Sequence, residues 1–471
     1  MSKPLTCVIP GPASLTRPVL VATALVVGLA LIFSAPAMAK PKLKAPPQPA
    51  PGDVLVSGGI GADNNATSSA EFYSVSKKAF VATGSMSTAR AGLQLDWFQA
   101  SSERTSNSGI ALGGFTGSAS ISATSMTLNI VTLNSIDVYT LSTGAFTADT
   151  ASTNTMQSPR AWFSSIAFPG DSILTTDPSL GGHVIAIAGL CDAISLQDCR
   201  SADIIHPSDG HTSPSSNPLA AVFLETLTYL DASQTVLMAG GFDDLAGSTS
   251  DSAEIFNPGA LETFALTPTA MVQARAGHTA TELSDGTVLI VGGVVNSGGT
   301  LTASNTAEIY DPAQQTFTAV PSNMNAGRFG HTATLLSDGN VLIAGGFSGS
   351  VTLAVSAAGS GESIAFGNET GAILNTAEIY NPASKSFSCV GGLVKKTDQC
   401  RASMKSARFE QTATALDDGD VLVVGGIGSS GKKNSTPAAL NTAEIFHGGK
   451  FKSARPLNSA RALAAATKIL P

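Results

Sequence analysis

Short apolar runs that begin after a turn and end at two glycines recur along the chain. The clearest unit opens with Asp338-Gly-Asn, continues with the run Val341–Ala344 and stops at Gly345-Gly346. A second run, Ala377–Tyr380, follows a long insert and ends on an aromatic residue. Aspartate–glycine pairs between apolar runs are typical of β-hairpins, because glycine accepts positive φ angles. The pattern therefore predicts paired β-strands, and helical periodicity is almost absent after residue 52.

The unit occurs seven times, which indicates a repeat architecture. Its glycine pairs are Gly58-Gly59, Gly113-Gly114, Ala188-Gly189 (a degenerate copy), Gly240-Gly241, Gly292-Gly293, Gly345-Gly346 and Gly425-Gly426. An acidic residue follows each pair, at Glu71, Asp137, Asp203, Glu254, Glu308, Glu378 and Glu444. Two positions later stand Tyr73, Tyr139, Ile205, Phe256, Tyr310, Tyr380 and Phe446. A later phenylalanine is found at Phe80, Phe146, Phe264, Phe317, Phe387 and Phe451, and the third copy has Thr212 there. Arginines recur at Arg90, Arg160, Arg275, Arg328, Arg408 and Arg461.

Together these features resemble the repeats of kelch β-propellers, of the superfamily that includes the central domain of galactose-oxidase-like proteins, here of an exported bacterial type. The resemblance covers residues 53–471. It departs from the family in one respect, because the last aromatic residue is phenylalanine where the family typically has tryptophan. The resemblance implies four antiparallel strands, A to D, in each blade, with the blades packed radially around a central channel.

The order of the strands predicts how the ring closes. The first recognisable strand, Asp53–Ser57, is of the B type, and only a proline-rich segment precedes it. The C-terminal segment Arg461–Leu470 resembles the A strands after Arg275 and Arg328. We therefore predict an all-β, seven-bladed kelch-type propeller in which the C-terminal strand completes the first blade and removes the open edge.

The N-terminal residues predict a different organisation. Lys3 and Arg17 precede an apolar run over 19–33, and Ala37-Met-Ala39 has the small-x-small pattern of a cleavage site. Residues 1–39 are therefore predicted to be a signal peptide, with a retained membrane anchor as the alternative. Residues 40–52 are predicted to be a proline-rich linker. Export to the periplasm, the cell surface or the medium follows from this prediction.

Charge and cysteine content fit an exported protein. Removing residues 1–39 leaves 24 basic and 34 acidic residues, a net charge of −10, and this balance argues against nucleic acid as a partner. Four cysteines remain in two close pairs, Cys191 with Cys199 and Cys389 with Cys400. The exported context favours two local disulfides. A zinc site is the alternative, although the short knuckle spacing of such sites is absent.

The repeated acids and arginines have two interpretations. They could form a charged ring for a ligand, or they could be structural, through ion pairs between blades or hydrogen bonds to the backbone. Repetition in nearly every copy favours the structural role. His278 and His331 occupy one repeat position and receive the same interpretation. His183, His206, His211 and His447 show no metal-ligand spacing.

The binding face is predicted from loop lengths. In a four-stranded meander the A–B and C–D turns lie at one end of the blade, and the B–C and D–A loops lie at the other. The first set is tight, as in Ser284-Asp-Gly and Ser337-Asp-Gly. The second set is expected to be long and irregular, over residues 116–134, 347–376 and 388–407, and it holds both cysteine pairs. Function usually resides in such loops.

No catalytic, cofactor-binding or metal-binding residue is predicted. The chain has no Gly-x-Ser-x-Gly elbow, phosphate loop or HExxH motif. Four of its five tyrosines occupy repeat positions, which argues against the copper-radical chemistry of galactose-oxidase-like enzymes. The predicted function is an exported, non-catalytic module that binds an unknown protein or glycan, and that meets a membrane only if the N-terminal segment is retained. The alternative is a carbohydrate-active enzyme, an oxidase or a sialic-acid isomerase, on the same propeller.

Overall fold

The computed structural model describes residues 48–98, 108–122, 125–148, 155–169, 182–191, 200–206, 212–243, 246–258, 262–358, 361–401, 403–429 and 436–470, with only the backbone over 353–370. The chain divides into two units, Met1–Lys44 and Ala45–Pro471. The first unit, with the predicted signal peptide, lies outside the described residues. In the described part no helix is long and apolar enough to cross a membrane.

The described residues form β-strands and no helix, in agreement with the predicted all-β class. The first strands are β1 (Val54–Ser57), β2 (Ala70–Ser74), β3 (Ala79–Ala82), β4 (Gln94–Phe98), β5 (Ser108–Leu112), β6 (Phe115–Ile121), β7 (Ser125–Thr132), β8 (Ile136–Thr140), β9 (Ala145–Ala148), β10 (Ser164–Ala167), β11 (Val184–Ile187), β12 (Ala202–Ile205) and β13 (Thr212–Pro214). Next come β14 (Thr226–Leu230), β15 (Thr235–Ala239), β16 (Phe242–Asp243), β17 (Ser248–Thr249), β18 (Ala253–Asn257), β19 (Thr263–Leu266), β20 (Thr279–Glu282), β21 (Val288–Val291), β22 (Val294–Ser297), β23 (Thr300–Ala303), β24 (Ala307–Asp311) and β25 (Thr316–Ala319). The last are β26 (Thr332–Leu335), β27 (Val341–Ala344), β28 (Phe347–Ala358), β29 (Gly361–Ile373), β30 (Ala377–Asn381), β31 (Ser386–Cys389), β32 (Ala407–Phe409), β33 (Thr412–Ala415), β34 (Val421–Val424), β35 (Ile427–Ser429), β36 (Ala438–Ala439), β37 (Ala443–His447), β38 (Lys450–Ser453) and β39 (Ala465–Lys468).

Seven antiparallel four-stranded sheets account for most of these strands, and each has the strand order A-B-C-D. In chain order of their B strands they are sheet 1 (β39-β1-β2-β3), sheet 2 (β4-β5-β8-β9), sheet 3 (β10-β11-β12-β13), sheet 4 (β14-β15-β18-β19), sheet 5 (β20-β21-β24-β25), sheet 6 (β26-β27-β30-β31) and sheet 7 (β33-β34-β37-β38). Sheet 1 takes its A strand from the C-terminus, where Val54 lies opposite Lys468 and Ser57 lies opposite Ala465. Many sheets of this kind fit a kelch β-propeller.

The sheets pack face to face through their apolar B strands. In sheet 6, Val341 and Ile343 pack against sheet 5, whereas Leu342 and Ala344 pack against sheet 7. Alternate residues of a strand point to opposite faces, so a strand buried on both faces is apolar throughout. The A strands of neighbouring sheets also contact one another, in the cyclic order β39, β4, β10, β14, β20, β26, β33 and back to β39.

The repeated aromatic residues form cross-strand pairs between strands C and D. Tyr310 lies opposite Phe317, with ring centroids 4.7 Å apart. Five other sheets have the same pair, and in sheet 3 Ile205 lies opposite Thr212 instead. Aromatic pairs across antiparallel strands stabilise a sheet beyond their buried area. The spacing of the two aromatic positions thus reflects the register of the C–D hairpin.

Two of the inserts expected to be irregular loops are β-hairpins instead. Residues 116–134 contain β6 and β7, and residues 347–376 contain β28 and β29. The two hairpins join β22 and β23 in one six-stranded sheet of order β22-β23-β28-β29-β7-β6, which we call the capping sheet. The prediction was wrong because serine, threonine and glycine dominate both inserts. These residues were interpreted as loop formers, whereas here they alternate along paired strands.

Candidate functional site

The segments that enter each sheet from the preceding one share an unusual backbone conformation. Seven residues at one repeat position have φ between 47° and 59°: Gly92, Trp162, Leu224, Gly277, Gly330, Glu410 and Leu463. We call this set the axial ring. Four of its members are not glycine, and non-glycine residues rarely adopt left-handed angles. Such conformations tend to occur at functional sites, where the surrounding structure enforces them.

Backbone hydrogen bonds connect the axial ring from sheet to sheet. The amide of Gly277 donates to the Leu224 carbonyl at 2.8 Å, and the amide of Glu410 donates to the Gly330 carbonyl at 2.8 Å. The amide of Gly92 donates to the Leu463 carbonyl at 2.9 Å and so connects the entry to sheet 2 with the C-terminal segment. Leu224 and Leu463 make the same contact, with Trp162 and Glu410, so five of the seven ring amides donate to the preceding ring member.

An apolar layer lies next to the axial ring. The residue after each glycine pair is apolar and buried, and these residues are Ile60, Phe115, Leu190, Phe242, Val294, Phe347 and Ile427. Each pairs with the residue just before an axial-ring member, as Phe347 does with Phe329. Sequence reasoning missed this layer, although its signal was present. The repeated motif is a glycine pair followed by an apolar residue.

The capping sheet extends over this layer. Strand β29 lies in the B–C connection of sheet 6, and β7 lies in the B–C connection of sheet 2. The two strands pair with each other from Glu362 opposite Ile130 to Gly367 opposite Ser125. Sheets 2 and 6 are not neighbours in the cyclic order. The pairing therefore bridges separate parts of the face that carries the B–C connections.

A cavity of about 330 Å³ is bounded by these three features, and we call it the axial cavity. The axial ring contributes Trp162, Leu224, Gly277, Glu410 and Leu463. The apolar layer contributes Phe242, Val294, Phe347 and Ile427, and the residues paired with it contribute Phe329 and Phe409. The capping sheet contributes Ile121, Met126, Leu301, Val351 and Ile373. An apolar concave site of this size with a few polar groups is typical of ligand pockets. It lies on the face that the loop lengths predicted.

Glu410 is the one titratable side chain among the described residues that line the axial cavity. Burial raises the pKa of its carboxyl to about 7. No other described group contributes to that pKa shift, and no hydrogen bond to the carboxyl is found in the described part of the chain. Among the residues that the structure describes, the site thus presents one unpaired acidic group in an aromatic and aliphatic environment.

The repeated arginines and acids form buried ion pairs. They are Arg90–Asp137, Arg160–Asp203, Arg275–Glu308, Arg328–Glu378, Arg408–Glu444 and Arg461–Glu71. Each arginine also donates to backbone carbonyls, as Arg328 does to Gly345 at 2.8 Å. In sheet 4, which has no arginine, Glu254 accepts hydrogen bonds from the amides of Leu219 and Ala220. These contacts favour the structural role predicted for the repeated charges.

The ion pairs lie within sheets, which corrects the expectation of pairs between blades. Arg328 precedes the A strand of sheet 6 and its side chain reaches Glu378 in the C strand of that sheet, at 2.5 Å. The link to sheet 5 is made by its backbone, whose carbonyl accepts from the amide of Gly293 at 2.9 Å. Burial lowers the pKa of Arg328, and the Glu378 carboxylate opposes that effect.

The double glycines are required where neighbouring sheets meet. A Cβ atom on Gly292 would lie 2.5 Å from the Arg328 carbonyl oxygen, and one on Gly293 would lie 2.6 Å from that of Ala276. Both glycines also have positive φ angles, of 67° and 86°. A side chain at Gly292 would therefore collide with the segment that enters the next sheet, and one at Gly293 with the segment that enters its own sheet.

The histidines fall into two groups. His278 and His331 are buried, and their Nε2 atoms lie 3.0 Å from the hydroxyls of Thr226 and Thr279 in the preceding sheet. Burial lowers the pKa of His331 to about 3, so it is neutral. The structure also brings His183 and His206 together, with Nε2 and Nδ1 2.8 Å apart, which their spacing did not predict. His211 lies outside the described residues.

The predicted disulfides can be compared with the structure for one pair. Cys389, the last residue of β31 in sheet 6, is bonded to Cys400 in the segment that leads to sheet 7. Both sulfurs also lie near Glu378, but the disulfide leaves no thiolate to bind zinc there. Cys199 lies outside the described residues, so the pairing of Cys191 with Cys199 stays a prediction.

Replacing Cys389 and Cys400 together by serine is expected to lower the free energy of unfolding by roughly 2–3 kcal/mol, because the crosslink closes a loop of 11 residues. Chemical denaturation of the oxidised wild type and the double variant measures this loss. Mass mapping of non-reduced peptides tests both cysteine pairs in the same sample. Four free thiols in protein recovered from an exported fraction would contradict the prediction.

Comparison with known proteins agrees with the repeat pattern. Residues 275–324 match the Kelch motif. This stretch contains the four strands of sheet 5 together with the hairpin β22–β23. No curated protein sequence matches the chain. The Kelch match and the all-strand architecture together support a kelch-repeat β-propeller.

Proposed function

We propose that the seven sheets are the blades of one closed propeller that acts as an exported, non-catalytic binding module. Closure is supported by the pairing of β39 with β1 and by the cyclic contacts of the A strands. The contact between Arg461 and Glu71 supports it as well, because it joins the two ends of the repeat region. The repeated glycines and acidic residues then have a structural role in every blade and do not form a site for one ligand.

The axial cavity is the observation that carries the binding function. Kelch repeats suggest a protein-interaction module, and here the cavity and the capping sheet lie on the B–C face. Ordered hairpins present a pre-formed surface, so a partner would not have to order loops on binding. A partner protein is therefore favoured, and a glycan is the other class to be tested. The Cys389–Cys400 disulfide is consistent with export.

A carbohydrate-active enzyme on the same propeller is the alternative function. Glycoside chemistry generally uses two carboxyl groups that flank the scissile bond. The described lining of the axial cavity offers Glu410 alone. A copper-radical oxidase would need a tyrosine beside a histidine and another linked to a cysteine. The repeat tyrosines lie against phenylalanines in C–D hairpins instead, at Tyr73, Tyr139, Tyr310 and Tyr380. Binding is thus the function that the geometry supports best.

Shortening the β28–β29 hairpin is expected to abolish partner capture without unfolding the propeller. Replacing residues 353–366 by Asn-Gly joins Thr352 to Gly367, which already lie opposite each other, and removes most of the pairing with β7. Peptides and glycans are first selected for binding to the wild-type chain, from a peptide display library and a glycan array. These ligands should no longer bind the variant. The variant should keep the wild-type melting temperature to within a few degrees.

Asp338→Asn on the tight-turn face is the matched control and should keep all binders. Asp338 accepts hydrogen bonds from Asn340 within its own exposed turn. Capture that survives the hairpin deletion and is lost in changes at Asp285, Asp338 or Asp418 would place the binding surface on the opposite face.

A further inference from the structure

The axial cavity combines aromatic rings with one carboxyl group. The rings of Phe329, Phe347 and Phe409 form a cluster with centroid distances of 5.6, 6.4 and 6.1 Å. Glu410 follows Phe409, and its carboxyl lies close to Gly330, since a Cβ atom there would be 2.7 Å from Oε1. Trp162 lines the same cavity. Aromatic rings and a carboxyl group thus line one cavity.

Both kinds of group attract cations. The face of an aromatic ring carries partial negative charge, and cages of such rings bind quaternary ammonium groups. An ionised carboxylate in apolar surroundings is destabilised until a positive charge approaches it. No described side chain supplies that charge to Glu410. The missing partner is therefore a cation that also has apolar surface to cover the rings.

The placement of a glutamate in the axial ring needs an explanation of its own. Three repeats have glycine at this position, Gly92, Gly277 and Gly330, which adopts the left-handed angle without strain. Leu224, Leu463 and Trp162 accept the strain and add apolar surface to the cavity. Glu410 does not avoid the strain as glycine does, and it does not add apolar surface as leucine and tryptophan do. The carboxyl group is therefore the feature that needs an explanation.

We propose that the axial cavity binds an apolar organic ammonium group, with Glu410 as its counter-ion and the phenylalanine cluster and Trp162 as its walls. This inference rests on the proposed binding function and names the chemistry of its ligand. The ammonium group belongs to a free small molecule or to a side chain of a partner protein, and both have the same chemistry at the site.

Isothermal titration of the full chain with phenyltrimethylammonium chloride tests the proposal, with the neutral isostere tert-butylbenzene as the comparison. At pH 8.5 the cation is expected to bind at least tenfold more tightly than the neutral compound. Glu410→Gln should remove this preference and leave the affinity for tert-butylbenzene within twofold of the wild type. Asp338→Asn, far from the cavity on the opposite face, should change neither affinity.

The pH dependence provides a second measurement. The Glu410 carboxyl is the group that titrates in the described cavity, and its raised pKa of about 7 means that it is ionised above neutral pH. Lowering the pH from 8.5 to 5.5 should therefore weaken binding of the cation by at least tenfold. Binding of the neutral compound should not change. In Glu410→Gln the pH dependence should disappear.

Controls keep a folding defect apart from a binding defect. Glu410→Gly introduces the residue found at this position in three other repeats, so the variant should be at least as stable as the wild type. Like Glu410→Gln, it should lose the preference for the cation over the neutral compound. Fluorescence of Trp162, one of two tryptophans, reports ligand entry independently of heat. Equal affinity for both compounds, or a cation preference that survives in both Glu410 variants, would overturn the proposal.

A peptide with a central trimethyllysine and its neutral tert-butyl analogue separate the two sources of the ammonium group. Binding of the peptide assigns the site to a partner side chain, and binding of the small cation alone assigns it to a free ligand. Failure of all cations at millimolar concentration overturns this inference. The binding function itself fails separately, when the β28–β29 deletion leaves all selected binders unaffected.

Discussion

Deletion of residues 461–471 is expected to abolish cooperative folding of the repeat domain. The deletion removes β39, so that β1 loses its pairing over Val54–Ser57 and becomes an open edge. It also removes Arg461 and leaves Glu71 buried without its partner, which alone costs about 3–5 kcal/mol. Together with the lost burial of Ile469, this approaches the whole stability of a typical domain, about 5–15 kcal/mol.

Denaturant unfolding followed by far-ultraviolet circular dichroism measures the effect, and size-exclusion chromatography detects association through the open edge. Deletion of Pro471 alone is the control and should leave the unfolding midpoint unchanged. A synthetic peptide of residues 455–471 added to the truncated chain should restore part of the transition, because it can supply the missing strand. A truncated chain that unfolds at the wild-type midpoint would show that the ring does not depend on this strand.

Arg328→Met is expected to lower the free energy of unfolding by about 3–5 kcal/mol. The substitution leaves Glu378 buried, with its side chain 1% exposed and no longer paired. The carbonyl oxygens of Gly345 and Thr376 each lose the hydrogen bond from Arg328 at the same time, and Thr376 keeps the one from the Gly345 amide. The double variant Arg328→Met/Glu378→Leu should recover most of the loss, because neither charge is then buried alone.

Asp417→Asn is the matched control for the ion pair. Asp417 contacts Lys468 at 2.9 Å, but its side chain is 69% exposed. Exposed pairs contribute about 0–1 kcal/mol, so this variant should unfold within that range of the wild type. The free energy of unfolding could fall no further in Arg328→Met than in Asp417→Asn. That result would mean that the buried pairs contribute little to the stability of the domain.

The strands and their partners within a sheet were predictable because their signals are local. The turn Asp338-Gly-Asn, the run Val341–Ala344 and the glycine pair after it mark one hairpin and its end. The register of strands C and D follows from the spacing of Tyr310 and Phe317, which lie opposite each other. Repetition of these signals made the pattern clear, although the third copy lacks the double glycine and both aromatic residues.

The candidate site was only partly predictable. The sequence pointed to the face with the long inserts, but it did not show that Gly-Gly is followed by a buried apolar layer that pairs with the segments entering each sheet. Glu410 could not be singled out, because its position carries glycine, leucine or tryptophan in the other repeats. Its importance depends on the left-handed backbone and on the cavity, and both arise from packing between sheets.

By itself the sequence determined an all-β repeat, its strands and the cysteine pair at 389 and 400. These features depend on contacts within a repeat, where turn chemistry and alternation fix the geometry. The capping sheet, the axial ring and the axial cavity were decided by tertiary structure alone. The capping sheet, for example, pairs Ser125 with Gly367, which lie in the connections of two non-neighbouring sheets. No local pattern encodes a contact between residues so far apart in the sequence.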